Sequence, residues 1–230
     1  MSGFSKFKQQ TIDGSVFEKT AESRLAFIKK VYLYFGIALA FAFAGAVVTT
    51  TNINIAVMVA NNYLFFVIAE IGVLIATIVL RKKEPINRIL FFAFTTLSGI
   101  TLGPMLWRFQ LANQMGTVVM ALGLTVLAFA GLTTYAFTTK KDFSYLKGFL
   151  FTGIFILLGA LILSFFVKSP ILYTAISAGG VILFSMFILY DTHNIMKRYN
   201  QDEYIAGAID LFLDFLNLFI YILRLLSSRD

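Results

Sequence analysis

The sequence predicts an all-α integral membrane protein that crosses the bilayer seven times. Three observations carry that reading. Of the 230 residues, 59% are hydrophobic and only 13% are charged. The mean hydropathy is +0.83. The basic residues fall in short runs between long apolar stretches. A soluble chain carries about 25% charged residues, so an aqueous domain is a poor fit. The 26 phenylalanines suit lipid-facing and interhelical packing better than a core surrounded by water.

A spanning helix needs about 20 mostly apolar residues at a rise of about 1.5 Å each. Residues 1–30 are polar and contain no apolar core of signal-peptide type, so they read as a cytoplasmic tail and the first span directs insertion. Apolar runs then follow at Val31–Thr50, Tyr63–Leu80, Ile89–Trp107, Gly116–Thr138, Gly148–Val167 and Ile171–Tyr190. A seventh, Ile205–Leu226, is apolar but contains Asp210, Asp214, Asn217 and Arg224. Residues 31–226 therefore form one transmembrane domain, and 227–230 a short C-terminal tail. The connections leave no room for a soluble domain, and no repeat or low-complexity segment is present.

Charge sets the orientation. The tail holds 6 of the 19 Lys and Arg residues; the successive loops hold 0, 4, 1, 3, 1 and 2, and the last 2 lie from Arg224 onward. The alternation holds at every loop, which the positive-inside rule reads as N-terminus in the cytoplasm and C-terminus outside. A re-entrant seventh segment would instead leave both termini cytoplasmic. The net charge of +7 is dispersed through these loops, which argues against a nucleic-acid surface. With no cysteine and one histidine, His193, disulfides, thiolate sites and multi-histidine metal sites are excluded.

Gly99 and Gly103 form a small-xxx-small pair in Ser98-Gly-Ile-Thr-Leu-Gly-Pro104, and Pro104 should bend span three. Ser177-Ala-Gly-Gly180 gives span six a similar face. Close packing is the plainer reading of both, and a path-lining hinge at Gly103-Pro104 is the alternative.

An ionisable side chain within a span costs a few kcal/mol and is a functional candidate by default. Glu70, Asp191, Asp210 and Asp214 qualify, with Arg81 as their basic counterpart at the end of span two. Topology brings Arg81, Asp191 and Asp214 to similar depth near the inner face. Asp210, Asp214, Asn217, Tyr221 and Arg224 are spaced 4, 3, 4 and 3 apart, which makes one helical stripe that must face protein or water, so span seven should be enclosed by the others. Glu70 and Arg81, 11 residues apart, share a helical face and would extend the polar path towards mid-membrane. The plainer alternatives are an interfacial turn for Asp191, headgroup depth for Asp210 and structural pairing for Glu70 and Asp214. His193, two residues from Asp191, reads as a surface histidine.

The chain resembles the transmembrane Bax-inhibitor-motif family in its bacterial branch. The residues that carry the resemblance are Ile188-Leu-Tyr-Asp-Thr192, Leu211-Phe-Leu-Asp-Phe-Leu-Asn-Leu-Phe219, Leu223-Arg-Leu225, Ser98-Gly-Ile-Thr-Leu102 and Thr138-Thr-Lys-Lys-Asp-Phe-Ser144. The likeness implies seven helices with the last central and surrounded by the other six. It implies a pH-sensitive calcium-leak activity and no cofactor, calcium being the permeant ion. The family's aspartyl pair falls on Asp191 and Asp214, which would also meet calcium; its basic latch falls on Arg81, and its mid-span glutamate on Glu70. Asp210 and Asn217 become candidates for the ion path. Phe212 and Ile209-Asp210 depart from the usual pattern.

Two carboxylates in one partly dehydrated site tend to share a proton, and calcium favours carboxylate oxygens. Arg81 pairing with Asp191 and Asp214 would then close the cytoplasmic end. The competing function is a non-transporting regulator that acts by contact on a membrane-protein partner such as a protease. An intramembrane aspartyl protease would need Gly-x-Gly-Asp where Leu211-Phe-Leu-Asp214 stands, so the chain reads as no enzyme. The implied location is a bacterial inner membrane, and the implied partners are the lipid bilayer and calcium ions, without nucleic acid.

Overall fold

The computed structural model describes residues 3–227, with side chains described from Glu22 onward. Eight helices follow in order: α1 (Gly3–Thr51), α2 (Ile53–Asn61), α3 (Tyr63–Val79), α4 (Ile86–Leu111), α5 (Met115–Thr138), α6 (Leu146–Phe166), α7 (Pro170–Lys197) and α8 (Tyr204–Ser227). Six are long and apolar enough to cross a membrane, and α2 with α3 supplies a seventh crossing if that bent pair is one span. The fold is thus an all-α multi-spanning membrane bundle. Of the expected C-terminal tail, residues 228–230 lie outside the described residues, as do residues 1 and 2 of the expected N-terminal tail.

The first span and the connection after it differ from the reading of the sequence. The tail boundary at residue 30 is not a break in structure, because α1 runs unbroken from Gly3 to Thr51 and Phe27 is buried in the bundle. Span two, expected at Tyr63–Leu80, is α3, but the connection before it holds a further helix, α2, and the chain turns at Asn61-Asn62, where the two meet at 83°. Asn52 starts α2 from an extended backbone, its side chain accepting the amides of Asn54 and Ile55 at 3.0 and 3.3 Å. With 17 residues, α3 is about 25 Å long, shorter than a hydrocarbon core of about 30 Å, and α2 packs on α1 and α4. The last segment, for which a re-entrant course was the alternative, is an unbroken helix of 24 residues, about 36 Å, long and apolar enough to cross a membrane.

Small residues set the tightest packing. A methyl group built on Gly99 would overlap the Ala42 backbone, and one on Gly103 would overlap Thr49, so both glycines of the predicted pair seat α4 against α1. A methyl on Gly180 would enter the Tyr221 ring, which brings α7 onto α8. Four buried hydroxyls are satisfied within their own helices: Thr49, Thr77, Thr125 and Ser177 each donate to the carbonyl four residues earlier.

The last helix is the most deeply buried, whereas α6 shows most of its surface to lipid. Helices α1, α4, α5 and α7 pack directly on α8, while α3 packs on α4 and α6 on α7. Where α3 and α6 face α8, cavities intervene.

Candidate functional site

One cavity of about 420 Å³ lies between α6, α7 and α8. Asp191 of α7 and Asp210, Asp214, Asn217 and Tyr221 of α8 line it, facing a wall of α6 leucines. Four of the five residues of the predicted stripe therefore meet here, and Asp191 joins them. Asp191 and Asp214 are 9% and 3% exposed, and both line this one cavity from different helices. The Asn194 amide donates to Asp191 at 3.4 Å. Among the described residues Asp214 Oδ2 receives no donor. Two ionised carboxylates would repel in one buried cavity, so the pair satisfies itself only when a proton lies between the two groups.

Tyr199, in the turn after α7, donates its hydroxyl to Asp210 Oδ2. Burial, with the Asp210 carboxylate next, holds the Tyr199 phenol well above its ordinary pKa, so it stays a donor at any physiological pH. Arg24 fixes the chain here, its guanidinium reaching the carbonyls of Ile195 and Met196 in the last turn of α7 and of Tyr199 just beyond it.

A second cavity, of about 580 Å³, lies on the adjacent face of α8, between α3 and α4. Glu70 sits in it, its two oxygens accepting from Ser98 at 2.6 Å and Thr101 at 2.5 Å. Glu70 therefore does not share the aspartate cavity. Arg224 also lines this second space, in line with Leu216 and Ile220 at four-residue steps. It stands at the border of the polar stripe, and its long side chain takes the other side.

Arg81 lies past the end of α3, in the turn to α4, so the helical face argued from Glu70 does not reach it. Its guanidinium pairs with Glu203 at 3.1 Å and with neither aspartate of the dyad. Glu203, 8% exposed, also accepts from the Asn200 amide and side chain, each at 3.1 Å. Lys82 meets Asp202 at 3.2 Å. Nearby, Arg88 bonds Glu84 at 2.6 Å and the Tyr204 hydroxyl at 2.9 Å, and that hydroxyl donates to Glu84. The Arg88 and Tyr204 bonds hold Glu84 below its usual pKa range. Sequence reasoning missed Glu203. The available signal was charge complementarity between Arg81-Lys82 and Asp202-Glu203 on two loops at one end of the bundle.

His193 is a second correction. It is 7% exposed rather than on the surface. Its Nε2 meets Asp142 at 3.1 Å, and its ring stands edge-on to Phe143. The hydroxyl and amide of Ser144, with His193 after them, hold the Asp142 carboxyl below its ordinary range.

Comparison with known proteins completes the description. Residues 24–230 match the family model described as "Inhibitor of apoptosis-promoting Bax1". An uncharacterized protein of Campylobacter jejuni is 40% identical over 92% of this chain and 93% of its own length. The "Bax inhibitor 1" of Schizosaccharomyces pombe is 34% identical over 96% of this chain and 82% of its own. The "Golgi anti-apoptotic protein" of vaccinia virus is 35% identical over 70% and 66% respectively.

Proposed function

The chain belongs to the family of inhibitors of apoptosis-promoting Bax1, non-enzymatic regulators of membranes with bacterial as well as eukaryotic members, and from that premise we propose that it is a pH-sensitive calcium-leak channel. One observation carries the proposal: Asp191 and Asp214, from different helices, share a buried cavity, with Asp214 Oδ2 lacking any donor among the described residues. Loss of the shared proton leaves two facing negative charges that must separate or recruit a cation. Calcium, a hard cation, is the fitting cargo for carboxylate oxygens. Two carboxylates offer at most four of the six to eight oxygens that calcium takes, which suits a passing ion rather than a resident one. Among the described residues no group of three His, Asp or Glu is placed to hold a metal.

Arg81 acts as the latch through Glu203, because the pair ties the α3–α4 turn to the start of α8, three turns before Asp214. Asp210 and Asn217 extend the path beside the dyad, and Glu70 belongs to the space on the other face. The protein sits in a bacterial inner membrane with its N-terminus in the cytoplasm, as the loop charges argue.

The test is calcium flux into liposomes that hold the purified protein, from about pH 5 to about pH 8, beside Asp191→Asn and Asp214→Asn. Flux that titrates in the wild type and not in the variants supports the dyad. A regulator acting by contact on a membrane protein is the second reading, favoured by the description of the family and the name of the vaccinia relative. Absence of flux at every pH, together with co-purification of a stable membrane-protein partner, would favour it over the channel.

A further inference from the structure

The cavity between α3, α4 and α8 holds charge that the dyad mechanism does not use. Arg108 and Arg224, on different helices, both line it. Each lies three residues before the end of its helix, α4 at Leu111 and α8 at Ser227, so both stand at the same end of the bundle, at headgroup depth. Both are exposed, and among the described residues neither has a carboxylate within ion-pair distance. Glu70 in the same cavity forms no ion pair with either arginine, its two oxygens accepting instead from Ser98 and Thr101. Beneath the arginines the wall turns apolar, with Leu102, Met105, Leu216 and Ile220.

We propose that this cavity binds the phosphate of an anionic membrane phospholipid, held between the guanidinium groups of Arg108 and Arg224, with its glycerol and upper acyl chains against the apolar wall. Guanidinium is the side chain best matched to a phosphate, because its planar fork donates two parallel hydrogen bonds. Two such forks on separate helices favour a net negative headgroup over a zwitterionic one, whose own cation they repel. A free phosphate would satisfy the arginines but leave the apolar wall uncovered, and a volume of about 580 Å³ accommodates a whole headgroup. The binding stands whether or not the protein conducts calcium. If it does conduct, the bound anion would offset the two positive charges beside the Glu70 space.

Native mass spectrometry of the full chain in a neutral detergent tests this, with phosphatidylglycerol, phosphatidylcholine and inorganic phosphate as probes. The wild type should retain phosphatidylglycerol about tenfold better than phosphatidylcholine. R108Q/R224Q should bring the two lipids within about twofold. R108K/R224K, which keeps the charge and loses the fork, should fall between them. K140Q/K141Q removes two exposed lysines from the opposite end of the bundle and should leave the preference intact. Three results would overturn the proposal: a wild type without preference, a preference that survives in R108Q/R224Q, or one lost equally in K140Q/K141Q. Full displacement of the lipid by millimolar inorganic phosphate would overturn the lipid assignment and leave a simple anion site.

Discussion

Arg81 meets Glu203 at 3.1 Å across two loops that are more than a hundred residues apart in sequence, and that contact joins the corner after α3 to the start of the most buried helix. The guanidinium is 38% exposed while the carboxylate is 11% exposed, so water screens the arginine and the pair is worth about 1 kcal/mol. That is enough to shift a closed–open equilibrium about fivefold.

Glu203→Gln and Arg81→Ala should each raise the basal calcium leak by about that factor at neutral pH, and the double variant should leak no more than either single one. The reversed pair, Arg81→Glu with Glu203→Arg, should restore a low leak. Additive effects in the double variant would show that the two residues act separately.

The dyad makes a prediction that does not depend on transport. In Asp214→Asn the amide can donate to Asp191 without a shared proton, so the pair keeps its bond as the pH changes. The thermal midpoint of the variant in detergent should therefore vary less between about pH 5 and about pH 8 than that of the wild type. Equal pH slopes in both proteins would remove the shared proton from the account.

Much of this arrangement is legible in the sequence, for physical reasons. Hydropathy reveals a span because lipid demands about 20 apolar residues in a row, and the spacing of Asp210, Asp214, Asn217 and Tyr221 reveals their common face because helical geometry is fixed. The break at Asn61-Asn62 is less visible, since two asparagines read equally as the end of a loop. Partner choice is least visible. Arg81 has several carboxylates within its reach at one end of the bundle, and only the path of the turn after Leu80 decides for Glu203. His193 misleads for a similar reason: its distance from Asp191 is clear, but the loop that brings Asp142 and Phe143 over it is not.

The glycine contacts separate packing from helix propensity. Gly99→Ala should destabilise the protein by about 1–3 kcal/mol, because the new methyl meets the Ala42 backbone, which cannot turn aside as a side chain would. Gly180→Ala should cost a similar amount by displacing the Tyr221 ring, and should also alter the aspartate cavity that the ring lines. Gly123→Ala is the control. Nothing lies within 4 Å of its added methyl, so it should be neutral or raise stability by up to about 1 kcal/mol through helix propensity. Thermal unfolding of the three variants in one detergent decides the matter, and equal effects at positions 99 and 123 would refute the close packing of α4 on α1.

Asp142 should give stability a dependence on acid that can be read separately from the dyad. Its carboxyl is held below the ordinary value by Ser144 and His193, against about 3.9 in an unfolded chain. A depressed carboxylate contributes stability that is fully present above the unfolded value and is lost as the pH falls through the folded one. Asp142→Asn should therefore be less stable than the wild type at neutral pH, and the gap should close only below about pH 4. The effect should be small, because the carboxylate side chain is 70% exposed and screened. Wild type and variant should unfold alike at about pH 3, so a gap of constant size across the acid range would place the stabilising role of residue 142 in packing rather than in charge.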